Sequence, residues 1–288
     1  MPRTPIDLPS KIRNILSHVE PLPPEANTPL SHFRRTGADL HNLLYYTERN
    51  FDTIKSLKPA VRERHLTRLH MMVVVNLIES FERYLKEAAA ACVDLLGSFV
   101  LDDRFDGFRV QGSAIAVHFG TDTLGRALCE SSTWLDTASV NKRFRALLAD
   151  PFEEGKFFLF PNEKRGLAED RARFETLELA WQIRHTIVHN VGVITQSDAV
   201  KLRLLVKAAI PSPRQLVPTR DDVRYLKRFL DETAEIANQR IGQRLAELLT
   251  TFYAGDATLF TPQEMADRIS MIFGFTVQVE NATGTLPP

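Results

Sequence analysis

Residues 66–95 read LTRLHMMVVVNLIESFERYLKEAAAACVDL. Leu66, Leu69, Val73, Leu77, Phe81, Tyr84, Ala88, Ala91 and Leu95 recur at steps of three and four, which paints one apolar stripe along a long helix. Such a stripe has to be buried against a neighbour, and the rest of the chain supplies more helices. Leu40, Leu43, Leu44, Phe51 and Ile54 share a face from Ala38 until Pro59 interrupts the pattern. Periodicity returns near Leu167, with Phe174, Leu177, Trp181 and Val188 on one side and Ile183 and Ile187 beside them. Thr219 with Asp221 and Asp222 predicts a capped helix start, followed by a stripe of Val223, Leu226, Leu230, Thr233, Ala237, Ile241, Leu245 and Leu248. The fold class expected is all-α, a helical bundle.

The remaining segments decorate that bundle. Residues 1–37 are marked by prolines and carry one short helical candidate at Ile12 to Val19, so they read as an N-terminal arm. Residues 38–252 form the helical domain, within which 98–162 reads as an insertion between two core helices after a stop at Gly97. That insertion holds an alternating piece at Ala114 to Phe119 and helical candidates at Thr123 to Glu130 and Ser139 to Leu148. Two β-prone runs, Val191 to Thr195 and Lys201 to Val206, predict a small hairpin. Residues 253–288 form a C-terminal extension with a last helix near Pro262 to Phe273.

At 288 residues, 44% hydrophobic and 25% charged, the composition is that of a soluble globular chain and excludes disorder as the main state. Thirty-six Lys and Arg balance thirty-six Asp and Glu, so electrostatic recruitment must come from a local patch. Between Asp198 and Arg228 there is such a patch: Lys201, Arg203, Lys207, Arg214, Arg220, Arg224, Lys227 and Arg228 face only Asp198, Asp221 and Asp222. Cys92 and Cys129 form no zinc spacing and no disulfide framework. No run reaches the roughly 18 apolar residues of a membrane helix, and the N-terminus lacks a signal-peptide core, so a cytoplasmic location without a membrane partner is expected. No phosphate-cradling Gly-rich loop or Gly-x-Ser-x-Gly elbow is present.

The chemistry concentrates in Trp181-Gln-Ile-Arg-His-Thr-Ile-Val-His-Asn190. Arg184 shares the stripe of Leu177 and Trp181, where a guanidinium is costly unless it is paired or faces a cleft. A structural pairing would use an acid of the earlier helix, Glu79 or Glu82. Arg184 and His189 are separated by about 140° at roughly 100° per residue, so they converge only if the helix is ending or if two copies face each other. His189 alone reads as a cap or core residue. His185 and His189 share a face and could hold zinc, but no Glu follows His185 and no third ligand is indicated by spacing. Asn190 and Glu178 are candidate orienting groups.

Arg184-His-Thr-Ile-Val-His189-Asn-Val-Gly192, together with Glu79-Ser-Phe-Glu-Arg-Tyr-Leu-Lys86 in the preceding helix, resembles the HEPN superfamily, in particular its RiboL-PSP-like members. The resemblance covers roughly Ala38 to Phe252 and implies a metal-independent endoribonuclease without cofactor. It would work as a homodimer, with Arg184 and His189 catalytic, His185, Asn190 and Glu178 assisting, and RNA as substrate. It further implies a toxin or antiphage defence effector, controlled by an antitoxin of nucleotidyltransferase type. The RNA itself would be held by Lys201, Arg203, Arg220, Arg224, Lys227 and Arg228. The alternative from another class is a non-catalytic HEPN-like dimerisation or RNA-binding module.

Overall fold

Thr28 opens the first helix. Its hydroxyl accepts the Ser31 N–H at 3.1 Å, the Ser31 hydroxyl accepts the Thr28 N–H at 3.1 Å, and Pro29 occupies the first turn. In the computed structural model, which describes residues 28–96, 104–105, 108, 124–130, 134–149, 157–162, 166–251 and 261–274, this helix is α1 (Pro29–Thr53). It thus starts at Pro29 rather than Ala38, because Leu30 and Phe33 are already buried, and it ends before Pro59. The expected helix at Ile12 to Val19, the stop at Gly97 and the alternation at Ala114 to Phe119 lie outside the described residues.

The long amphipathic stretch becomes α2 (Pro59–Leu96), the central element, with Leu77, Phe81, Tyr84, Leu85 and Ala88 fully buried. α1 packs against it, burying Leu44 while Leu43 and Ile54, expected on the same face, point outward. α3 (Leu124–Glu130) and α4 (Thr137–Leu148) come from the segment expected as an insertion, close to the two predicted spans. Their packing is with the core: Val140, Phe144 and Leu147 join Trp134 and Phe160 in the same buried cluster as α2. Asn141 secures this region by donating to the Phe160 carbonyl at 2.8 Å and accepting the Phe160 N–H at 2.9 Å.

Gly125 lets α3 lie directly on α2. Its N–H donates to Asp94 Oδ1 at 2.9 Å, and a Cβ there would stand 2.2 Å from the Ala90 carbonyl oxygen. That oxygen belongs to a helix and cannot swing aside. Gly125→Ala is therefore expected to destabilise the fold by about 1–3 kcal/mol, the usual range for overpacking. Urea unfolding checks this, and an unchanged midpoint would show that α3 does not seat on α2.

α5 (Ala168–Asn190) follows and buries Leu177, Ala180 and Trp181. After it, Val193–Ile194 (β1) pairs antiparallel with Arg214–Gln215 (β2), Val193 opposite Gln215 and Ile194 opposite Arg214. The small hairpin exists, but its second strand is not the predicted Lys201 to Val206. That run is part of α6 (Gln196–Val206), because Thr195 caps it and Asp198 returns the bond in a capping box. α7 (Arg220–Thr251) starts behind Thr219 as expected, with the Asp222 N–H donating to the Thr219 hydroxyl at 3.3 Å. Val223, Leu230, Thr233, Ala237, Ile241, Leu245 and Leu248 of its stripe are buried, and Leu226 is half-buried. α8 (Pro262–Phe273) closes on it through Met265, Ile269 and Phe273. The result is a mostly helical bundle with one two-stranded hairpin, and no helix among the described residues is long and apolar enough to cross a membrane.

Candidate functional site

Leu177, Trp181, Arg184 and Val188 lie along one line of α5, and burial fades along it. Leu177 and Trp181 are buried, the Arg184 side chain is 18% exposed and Val188 is 42% exposed. Val188 was expected on the buried side; it lies instead with His185 and His189 on the exposed face of the last two turns of α5, whose other face buries Thr186 and packs Ile183 and Ile187 on the core. Arg184 therefore emerges at the edge of the bundle, where one arm of its fork, Nη2, donates to Glu79 Oε1 at 2.9 Å. This is one of the two structural partners expected from the sequence. Arg184 Nε is buried and has no hydrogen-bond partner among the described residues.

The histidines face outward. His185 and His189 are both exposed, and their ring centroids lie 4.5 Å apart at an interplanar angle of 45°, as the i, i+4 spacing implies. Arg184 and His185 line one cleft of about 390 Å³ together with Gln182, Lys201, Trp181 and Leu204. The structure thus brings Arg184, His185 and Lys201 together and places His189 one turn further on, against His185. It does not bring Arg184 and His189 together within one chain, because α5 stays helical through Asn190. Among the described residues no group of three or more His, Cys, Asp or Glu is arranged to hold a metal ion.

The turn after α5 is fixed by Asp198, a residue that the sequence reading counted only as one acid in a basic run. It is buried, and it accepts four donors: the Thr195 N–H at 3.1 Å, the Thr195 hydroxyl at 2.8 Å, Asn190 Nδ2 at 2.8 Å and Gln182 Nε2 at 3.1 Å. Burial pushes its pKa up, but the bonds from Thr195 and Asn190 and the field of His185 outweigh it and hold the carboxyl below its usual range. The Thr195-x-x-Asp198 spacing is a capping-box signature and could have revealed it. Asn190 thereby orients the turn, not an imidazole ring. Gly192 completes the turn at φ 77°, a left-handed conformation suited to glycine, and a Cβ there would meet Met71 of α2 at 2.6 Å.

Glu178 is displaced from its expected part. Its carboxylate accepts the Thr137 N–H at 2.8 Å and the Thr137 hydroxyl, so it anchors the first turn of α4. A free N–H at a helix start attracts a carboxylate strongly, so Glu178, which also lines the cleft of Arg184 and His185, is engaged by α4 rather than by an imidazole.

The basic run divides in two. Lys201 and Arg203 are exposed on α6 with no ion pair among the described residues. On α7, Arg224 pairs with Asp221 at 3.2 Å, Lys227 with Asp231 at 2.6 Å and Arg228 with Glu232 at 2.8 Å, while Arg220 reaches Glu48 of α1 at 3.4 Å. Asp231 and Glu232 fall one turn past the window in which the excess was counted, so the helix surface is less basic than the run. Compared with protein-family models, with curated proteins and with solved structures, the chain matches none.

Proposed function

We propose that the protein is an HEPN-like endoribonuclease that cleaves RNA without a metal, using the outer face of the last two turns of α5. The observation that carries this reading is the exposed His185–His189 ring pair beside the cleft that Arg184 and Lys201 line. RNA brings its own nucleophile. One imidazole removes the proton of the 2′-hydroxyl as that oxygen attacks the adjacent phosphorus, and the other protonates the departing 5′-oxygen. The P–O5′ bond breaks, leaving a 2′,3′-cyclic phosphate and a 5′-hydroxyl. Arg184, permanently charged and reaching the cleft at the edge of the bundle, meets the charge that builds on the phosphoryl oxygens. Lys201 adds a second cation in the same cleft.

Two copies facing through the exposed face of the last two turns of α5 would set His189 of one near Arg184 of the other, which is why a homodimer belongs to this reading. On the resemblance, the protein acts in the cytoplasm as a toxin or antiphage effector, restrained by an antitoxin of nucleotidyltransferase type. The Arg184–Glu79 hydrogen bond favours a second reading, a non-catalytic dimerisation or RNA-binding module in which Arg184 only ties α5 to α2.

Incubation of total and transfer RNA with purified protein in excess EDTA separates these. Cleavage with cyclic-phosphate ends is the expected result. Activity that returns only with zinc would reassign His185 and His189 as metal ligands. Intact RNA that is nevertheless bound would establish the module.

A further inference from the structure

Exposed aromatic rings are uncommon on a helical surface unless something covers them, and three of the chain's five tyrosines are exposed at one place. Tyr46 is 62% exposed and meets Tyr45 edge to face, with ring centroids 5.4 Å apart. The Arg220 guanidinium lies 5.4 Å from the centre of the Tyr45 ring, and that of Arg224 lies 5.3 Å from the Tyr225 ring. Arg220 and Arg224 are one turn apart on α7, so the Tyr46–Tyr45–Arg220 set and the Arg224–Tyr225 pair are neighbours by helical spacing, from α1 to α7. Beside them, where α1 gives way to α2, Phe51 and His65 stack at 6.2 Å with planes only 11° apart.

We propose that this surface binds single-stranded RNA, bases stacking on the tyrosines and phosphates meeting the surrounding cations. Stacking platforms threaded with arginine suit unpaired bases of any sequence, whereas a duplex hides its base faces. Charge agrees: residues 45–70 and 214–225 hold nine Lys and Arg against five Asp and Glu, in a chain whose total is balanced. The pairs Arg220–Glu48 and Arg224–Asp221 involve arginines more than half exposed, and such pairs are weak enough to yield to a phosphate. Arg49, one turn from Tyr45 and Tyr46, is exposed with no ion pair among the described residues.

The surface stands at the histidine end of the bundle. His70 Nδ1 hydrogen-bonds the Pro218 carbonyl just before α7 at 2.8 Å, and the next residue, Met71, packs under Gly192 in the turn that follows His189. The start of α7 and the turn after α5 are thereby braced by consecutive residues of α2. The choice of RNA over DNA rests on the ribonuclease reading; the stacking surface itself does not.

Fluorescence anisotropy with a labelled single-stranded 12-mer RNA tests the surface. Its sequence cannot pair with itself, and 2′-O-methyl groups remove the nucleophile so that it cannot be cut. Tyr46→Ala and Tyr225→Ala are each expected to weaken binding about tenfold, Tyr46→Phe and Tyr225→Phe to restore it, and Arg49→Glu to flatten the salt dependence by about one ion. Binding that ignores both alanine substitutions, preference for the duplex of the same sequence, or no binding at all would each overturn the proposal. An unmodified strand keeps the two ideas apart. If the alanine variants bind and cut like the wild type while His189→Ala is dead, the surface fails and the ribonuclease stands. Tyrosine-dependent binding without any cleavage gives the reverse.

Discussion

Arg184→Ala and His189→Ala are each expected to reduce RNA cleavage in excess EDTA about a hundredfold or more, with the folded state intact. The figure follows from roles made only in the transition state: loss of a positioned proton carrier removes about 10²–10⁴, and loss of a charge-stabilising donor about 10²–10³. Arg184 needs a control, because its alanine variant also releases Glu79 from a 2.9 Å hydrogen bond between α5 and α2. Glu79 is 43% exposed, so that pair contributes little to stability. Glu79→Gln breaks the ion pair while leaving the arginine charged and free to meet phosphate. It should therefore keep cleavage within a few fold of the wild type. If Glu79→Gln were as inactive as Arg184→Ala, the arginine would be a tie between helices and not a catalytic group. His185→Ala serves the second half of the argument: the ring pair requires two imidazoles, so this variant should fall with His189→Ala rather than with the wild type.

What the sequence disclosed depended on how local the determining forces are. The stripes of Leu66 to Leu95 and Val223 to Leu248 mark long helices because periodicity accumulates over many turns, and α2 and α7 follow them closely. Short elements obey their caps instead. α1 begins early because Thr28, Pro29 and Ser31 make a start signal ahead of the first regular apolar spacing, and α6 replaces a predicted strand because Thr195 and Asp198 close a box around its first turn. β-propensity in Lys201 to Val206 yielded to that cap and to burial of Ala199 and Leu202 against Ile194. At the site, the His185–His189 pairing was legible from spacing, and the cost of an unpaired arginine narrowed the partner of Arg184 to Glu79 or Glu82, of which the structure takes Glu79. The diversion of Glu178 to Thr137 was not legible, since it arises from the three-dimensional docking of α4 onto α5.

Asp198→Ala is the substitution expected to harm the fold most among the site's neighbours, by about 3 kcal/mol. The carboxylate caps α6, whose removal costs about 0.5–2 kcal/mol, and it leaves Asn190, Gln182 and the Thr195 N–H without their acceptor, at about 1–3 kcal/mol for a buried group. Asp198→Asn retains one acceptor oxygen and should lose less. The pH dependence carries the sign of the shift. Because the folded carboxyl titrates below its usual range, the ionised form favours the native state; its contribution is complete above the unfolded value of about 4 and disappears as pH falls through the folded value. Urea unfolding at neutral pH and below pH 4 reads this directly: the gap between wild type and Asp198→Asn should close on acidification, and a gap that widened would mean that the proton and not the charge is what the turn requires. The same turn sets the end of α5, so the two histidines inherit their placement from an acid to which the proposed reaction gives no chemical step. Cleavage by Asp198→Asn should accordingly fall less than tenfold at neutral pH, well short of the loss expected for His189→Ala, because the turn remains closed while one of its bonds is exchanged.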